Sequence, residues 1–174
     1  MNRFKKILCY VEPVNQANSA LLQAIEIARS NSAELSLVCV ISEIPISTPN
    51  LQQNFIDICR SELQALLKSM DTTGVVIDIK ILTGNLGALH VIHTAIDGGY
   101  DLVVKPTDNI SRSENALFGS NDQHLLRKCP VPVWLIKPQK KYKPERILAA
   151  IDVDPDEEEN AELNKLIIQL ATSL

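Results

Sequence analysis

The stretch from Tyr100 to Asp122, "YDLVVKPTDNISRSENALFGSND", decides the fold of this 174-residue chain. It opens with an apolar run typical of a buried strand, Tyr100–Val104, and ends in Gly119-Ser120 directly before a helix-like segment. A strand, a loop and a Gly-Ser helix start are common where proteins hold phosphate on backbone amides. The front of this loop, however, carries Pro106 and no glycine. The stretch therefore predicts a strand–loop–helix unit and leaves nucleotide binding open.

Strand and helix patterns alternate on both sides of this unit. Five apolar runs predict strands: "KILCYVE", "ELSLVCVIS", "VVIDIKIL", "YDLVVK" and "VPVWLIKP". Alternation implies parallel pairing through right-handed crossovers, and the continuous apolar character of the runs implies a sheet covered on both faces. We therefore predict a doubly wound α/β domain over residues 1–139. Pro132, inside the last run, places that strand at a sheet edge.

Two finer predictions follow from this pattern. The longest helix is expected to bury one apolar stripe, formed by Phe55, Ile58, Cys59, Leu63, Leu66 and Leu67. Ligands of doubly wound sheets bind beyond the carboxyl ends of the strands, where the strand order reverses. That rim would bring together Glu12, Val40 and the loop from Lys105 to Asp122.

Composition narrows the class of protein. The chain is 45% hydrophobic and 22% charged, which suits one compact domain with an appendage. A net charge of −4 gives no support to a nucleic-acid surface. The four cysteines form no Cys-x2-Cys pair, so we expect no zinc site. The start of the sequence does not have the pattern of a signal peptide and no run has the length of a membrane helix, so we expect a cytoplasmic protein that binds no membrane.

The sequence also contains an internal repeat. "FKKILCYVEP" near the start matches "PERILAAIDV" near the end, and an amphipathic helical pattern follows each copy. Residues 140–174 are therefore predicted to be a linker plus the first strand and helix of a second, incomplete domain. The apolar strand Arg146–Ile151 needs cover, which we expect from the fifth strand, Val131–Ile136, or from another copy of the chain. The helix Glu157–Ala171 would cover one face with Leu163, Leu166, Ile167 and Leu170, and a homo-oligomer, most simply a dimer, is expected.

With these features the chain resembles the universal stress proteins over essentially its whole length. The resemblance rests on the order of elements, on "DLVV" before the ligand loop, on Gly119-Ser120, and on "CPVPVWLIK" as the closing strand. The stretch "DQHLLRKCPVPVW" is most similar to tandem members, whose two halves pack as a pseudo-dimer. The resemblance implies a five-stranded parallel sheet ordered 3-2-1-4-5, of the adenine nucleotide alpha hydrolase-like kind. It also implies that one branch of the family binds ATP through Gly-x2-Gly-x9-Gly-Ser, with an acidic residue after the first strand.

The register of that motif is intact here, but its glycines are replaced. Counting back from Gly119, the first glycine position falls on Pro106 and the second on Asn109. A hydroxyl position that often follows Gly-Ser falls on Asp122, and the acidic position after the first strand falls on Glu12. Pro106 has no N–H and fixes its own φ, and a carboxylate at 122 would repel phosphate. Tight ATP binding is therefore not expected.

The leading hypothesis is a non-enzymatic, stress-response binding protein with a degenerate nucleotide-type cleft, which takes a small anionic or other ligand and needs no cofactor. The alternative is an ATP-binding switch with weak hydrolysis, and a third hypothesis is an interaction scaffold without a ligand. No Ser-His-Asp or Cys-His arrangement supports a hydrolase. The cleft candidates are Tyr10, Glu12, Val40, Lys105, Pro106, Asn109, Gly119, Ser120 and Asp122.

Two local motifs have simpler interpretations. Ser120 followed by Gln123 predicts a capping box at the start of a short helix, although helix N-termini also attract anions and Lys105 stands on the same rim. His90, His93 and Asp97 share one helix flank at a spacing that can hold a metal. We interpret them as a polar flank beside an apolar stripe, and no metal is expected.

Overall fold

The computed structural model describes residues 3–12, 19–44, 49–108, 119–137, 147–151 and 158–172, which contain five strands and five helices. The strands are β1 (Lys6–Tyr10), β2 (Glu34–Ile41), β3 (Ile77–Thr83), β4 (Leu102–Pro106) and β5 (Val133–Ile136). The helices are α1 (Ser19–Asn31), α2 (Pro49–Lys68), α3 (Gly87–Asp97), α4 (Ser120–Lys128) and α5 (Glu158–Ala171). Among these helices none is both long and apolar enough to cross a membrane.

The strands form one parallel sheet in the order β3-β2-β1-β4-β5. This confirms the predicted doubly wound fold and the edge position of β5. The central strand β1 pairs with both β2 and β4, so the chain leaves it in opposite directions along the sheet. The strand order therefore reverses between β1 and β4, and the carboxyl ends of these two strands flank the rim where a ligand cleft is expected.

Alternating side chains of the sheet form two apolar clusters, one on each face. Ile7 and Cys9 of β1 face the cluster formed with α1 and α2, whereas Leu8 faces the cluster formed with α3 and α4. This period of two is the expected geometry of an extended strand. Both faces of the central strand are thus covered by helices, which explains why the strand sequences are apolar almost without interruption.

The predicted stripe of α2 is wrong in part. Cys59 and Leu63 are buried, and Leu66 and Leu67 pack against the core, but Phe55 and Ile58 are 46% and 53% exposed. One residue step turns an α-helix by about 100°, so a side chain directly before Cys59 points well away from the face that Cys59 buries. Ile56 contacts the core instead.

The tail differs from its prediction in its strand but not in its helix. Residues 147–151 form no strand and are largely exposed, with Leu148 at 95%, so the predicted pairing with β5 is absent from the described chain. Strand β1 pairs with β2 on one side and with β4 on the other. Among the described residues, no two strands flank residues 147–151 in this way. Position 146 lies outside the described residues.

Helix α5 is present and packs on the domain that precedes it. Leu170 contacts the cluster of α1 and α2, and the Arg3 guanidinium donates a 2.9 Å hydrogen bond to Gln169 Oε1. Leu163 and Leu166, which were predicted to cover the strand, are exposed. One edge of the apolar face of α5 therefore packs against α1 and α2, and the rest of that face is exposed within the described chain.

A buried asparagine at the end of α1 ties the N-terminal segment to the domain and gives a test of this packing. Asn31 Oδ1 accepts the backbone N–H groups of Arg3 and Phe4, at 3.1 and 3.3 Å, and its Nδ2 donates to Ile27 O. We expect Asn31→Ala to lower the free energy of unfolding in urea by about 2–3 kcal/mol, because the backbone N–H groups of Arg3 and Phe4 would lose their acceptor. The exposed Asn54→Ala should change it by less than about 0.5 kcal/mol. Equal losses in the two variants would contradict this role of Asn31.

Candidate functional site

The predicted rim lies at the carboxyl ends of the central strands. Tyr10 ends β1, Val40 lies near the end of β2, and both pack against the cluster of α3 and α4. Lys105 and Pro106 end β4, and the N-terminus of α4 follows after a loop of which residues 109–118 lie outside the described residues. The candidate Asn109 is among those residues. The structure thus brings the cleft candidates it describes to one edge of the sheet.

Tyr10 connects the two ends of this rim. The Lys105 ammonium lies 5.5 Å from the centre of its ring, a cation–π distance. On the other side, its hydroxyl lies 3.5 Å from the position that a Cβ on Gly87 would take, at the start of α3. Burial raises the pKa of Tyr10 to about 12, and its electrostatic interactions with Glu12, Cys39 and Asp108 add to the rise. The phenol therefore stays protonated at neutral pH and can donate a hydrogen bond.

The principal feature of the rim is a buried ion pair between β4 and α4. Lys105 Nζ lies 2.8 Å from Asp122 Oδ1, and the two side chains are 2% and 0% exposed. The sequence interpretation placed Asp122 beside bound phosphate and Lys105 on the same rim. The structure instead directs both side chains inward, where each neutralises the other. Taking either charge out of water without a partner would cost several kcal/mol, which accounts for the pairing.

A third charged residue completes the cluster. Asp108 Oδ1 lies 2.5 Å from Lys105 Nζ, and its backbone N–H donates a 2.9 Å hydrogen bond to Asp122 Oδ2. Lys105 also donates to Pro106 O at 2.9 Å. An ammonium has three donors, and the three oxygen partners on Pro106, Asp108 and Asp122 satisfy all of them. Lys105, Asp108 and Asp122 are called the charge cluster below.

The N-terminus of α4 is capped from a distance. Gly119 is the N-cap residue and Ser120 the first residue of the helix, so the predicted capping box is wrong in register. The Gln123 N–H donates to Gly119 O, and the Asn121 N–H donates to Asp108 Oδ2 at 3.2 Å. The distant carboxylate takes the position that a local serine oxygen was expected to fill, because Gly119 has no side chain with which to cap.

Gly119 is needed for this close approach. A Cβ placed on Gly119 would lie 2.3–2.7 Å from carboxyl-group atoms and Cβ of Asp108, closer than side chains pack in proteins. In ATP-binding members that the chain resembles, the glycine at this position belongs to the nucleotide-binding motif. In this chain, Gly119 also leaves room for the Asp108 carboxylate beside the first turn of α4.

Sequence reasoning missed Asp108. The signal available was a lysine at the end of an apolar strand followed three residues later by an acid, which can pair with it in a tight turn. The motif register drew attention to its neighbours on either side, Pro106 and Asn109, because those positions carry glycines in the resemblance. Nothing in the spacing indicates that the intervening acid turns back onto the next helix.

The candidate metal flank on α3 has structural contacts of its own. The His90 Nδ1 lies 2.9 Å from Leu86 O, and its ring packs against Gly84. Within the part of the chain that the structure describes, no three His, Cys, Asp or Glu side chains are arranged to hold a metal ion. The four cysteines are free, and burial raises the pKa values of Cys9 and Cys39 to about 12, as expected for thiols that pack as small apolar groups.

Fold and rim together define a doubly wound α/β domain in which three charged side chains meet between the end of β4 and the start of α4, beside the switch point of the sheet. Residues 3–137 match the family described as the universal stress protein family. The chain belongs to that family.

The curated relatives are longer than this chain. Universal stress protein E of Escherichia coli K12 is 36% identical over 96 residues, which cover 55% of this chain and 30% of that protein. A homologue from Haemophilus influenzae is 25% identical over 99% of this chain and 60% of its own length. The chain therefore spans less than two thirds of these relatives.

Solved structures show the same fold. A protein of Pseudomonas aeruginosa PAO1, described as functionally unknown, superposes with a TM-score of 0.75 at 23% identity and covers 98% of this chain and 56% of its own. A universal stress protein from Burkholderia pseudomallei has a TM-score of 0.59 at 25% identity and covers 78% of this chain and 97% of its own. A universal stress protein in complex with cAMP has a TM-score of 0.57 at 16% identity and covers 78% and 98%.

The buried ion pair makes a sharp stability prediction. Lys105→Met should lower the free energy of unfolding by about 3–5 kcal/mol, because it leaves Asp122 charged and buried without its ammonium. Lys105→Met/Asp122→Leu should cost less than the sum of the two single changes. Urea denaturation of the four proteins measures this coupling.

A matched control is the exposed pair of Lys165 and Glu162 on α5, at 4.0 Å. Lys165→Met should change stability by less than about 1 kcal/mol. If the losses in the free energy of unfolding at positions 105 and 122 were additive, the two charges would not stabilise each other, and the prediction would be wrong.

Proposed function

We propose that this protein is a non-enzymatic binding or regulatory protein of the stress response whose nucleotide-type cleft does not take up ATP. The observation that carries the proposal is the charge cluster at the phosphate end of the rim. One ammonium there faces two carboxylates, so a triphosphate would meet a net negative site. The Pro106 position adds a backbone without a donor.

The rest of the rim supports a small ligand other than a polyphosphate. Tyr10 and Val40 offer partly buried apolar surface, and Glu12 lies two residues beyond the end of β1, at the position that the resemblance assigns to the nucleoside end. The Tyr10 hydroxyl can donate, and the Glu12 carboxylate can accept. A flat, polar-edged ligand that carries little negative charge fits this chemistry best.

The second candidate is a nucleotide-binding switch with weak hydrolysis. Glu12 favours it, because an acidic residue at this position can bind ribose hydroxyls, and one neighbour of the same fold is described in complex with cAMP. The charge cluster opposes it for ATP. A single cyclic phosphate carries one charge and would meet less repulsion, so cAMP belongs in the same binding experiment.

We further propose a tandem organisation and a cytoplasmic location. The sequence repeat that begins with "PERILAAIDV" at residue 144, and the alignment of 98% of the chain with 56% of a longer protein, support the first. Four free cysteines suit a reducing compartment and support the second.

Isothermal titration of the wild-type protein with Mg-ATP tests the leading proposal. We expect no binding in the micromolar range, because the charge cluster and Pro106 both oppose a triphosphate. A micromolar dissociation constant would overturn the proposal and favour the switch.

A restored site provides the positive arm of that titration. Pro106→Gly, Asn109→Gly and Asp122→Ser should raise ATP affinity only when Asp108→Ala accompanies them, since Asp108 otherwise stays on the Lys105 ammonium and on the backbone N–H of Asn121. Without ATP, the quadruple variant should unfold at lower urea concentration than the triple variant, because Lys105 has then lost both carboxylate partners.

Self-association is a separate proposal that rests on the exposed tail. Ile147, Leu148 and Ile151 are exposed apolar residues in the repeat of the first strand, and a second copy of the chain would cover them. Light scattering after size exclusion should give the mass of a dimer, and Leu148→Asp should reduce it to a monomer. Leu22→Asp, at a half-exposed leucine of α1, should leave the dimer intact. A wild-type monomer would contradict the proposal.

A further inference from the structure

The side chain of Asp108 occupies a position that is chemically suited to an external anion. Its two oxygens contact different donors, Oδ1 the Lys105 ammonium at 2.5 Å and Oδ2 the Asn121 amide at 3.2 Å. Each of these groups could equally donate a hydrogen bond to a phosphate oxygen. The carboxylate is 17% exposed, so it lies between the buried cluster and solvent.

Helix α4 supplies a field that favours negative charge at this point. Asn121 lies in the first turn of the nine-residue helix, where backbone N–H groups lack helical partners and the helix dipole is positive. The absence of a side chain on Gly119 lets the carboxylate approach this turn. The chain therefore provides the room, the donors and the anion together.

The charge balance gives Asp108 a different role from Asp122. Asp122 is fully buried and binds Lys105 as well as the Asp108 backbone, so it belongs to the permanent core of the cluster. With Asp122 alone, the ammonium would be neutralised and would keep one donor unused. Asp108 uses that donor and turns the cluster net negative. The backbone N–H of Asp108 donates to Asp122 independently of the Asp108 side chain, so this tie does not need the carboxylate.

We propose that the Asp108 carboxylate is a built-in anion that closes the N-terminus of α4 to phosphoryl groups. Removing this carboxylate opens a phosphate site formed by the Lys105 ammonium and the Asn121 amide. The device is an autoinhibitory contact within one chain. It rests on the proposed function in one respect, namely that this rim is the closed phosphate end of a ligand cleft.

The experiment is a titration of ¹⁵N-labelled protein with inorganic phosphate at constant ionic strength, followed by the backbone amide of Asn121. In the wild type the resonance of this amide should not shift at millimolar phosphate, because its N–H already donates to Asp108 Oδ2. In Asp108→Ala it should shift and saturate, with phosphate affinity at least about tenfold above wild type. Asp97→Ala, which removes an exposed carboxylate at the end of α3, should behave as the wild type.

Folding of the variant is read from the dispersion of the same spectra. If Asp108→Ala does not fold, Asp108→Asn keeps the size and removes the charge, and the same criterion applies to it. The proposal would be overturned by a folded variant in which phosphate does not shift the Asn121 amide resonance. It would also be overturned by a folded variant that binds phosphate no more tightly than the Asp97→Ala control. That result would leave the proposed function standing, since the latter is judged by Mg-ATP binding to the wild type.

Discussion

A lysine buried at the end of the fourth strand constrains the whole ligand rim. The Lys105 ammonium cannot stay inside the protein without oxygen partners, and it takes them from Pro106, Asp108 and Asp122. These contacts join the end of β4, the start of the following loop and the first turn of α4. The rim is therefore a set of mutually dependent charges, in which a change at one position alters what the others can do.

This dependence separates the two ends of the cleft. At one end, Tyr10, Glu12 and Val40 present a partly buried ring, an acid and an aliphatic side chain, all compatible with a small ligand. At the other end, the Asp108 carboxylate contacts the Lys105 ammonium and the backbone N–H of Asn121, where we propose that phosphate is excluded. Under the proposed function, this rim selects against polyphosphates, because a carboxylate of the chain already holds the donors that a phosphate would need.

The fold was accessible from the sequence, because apolar runs and helical periods alternate strictly and the chain has few other ways to bury them. Sheet order and the edge position of β5 followed from the resemblance and from Pro132. The structure has Tyr10 and Lys105 at strand ends, where the sequence pattern placed them. The inward direction of Asp122 was not foreseen, since spacing along the chain does not reveal whether a side chain points to a cleft or to the core. Ile58 and the unpaired residues 147–151 differed for a related reason: periodicity predicts an apolar face, but only tertiary contacts decide what covers it.

The most direct test of the central claim is a crystal structure of the wild-type protein grown with millimolar Mg-ATP. The account predicts that Asp108 remains on the Asn121 amide and on Lys105, with no phosphate density at the start of α4. A triphosphate seated on that helix N-terminus, with the Asp108 side chain turned away and the Lys105–Asp122 pair opened, would contradict it.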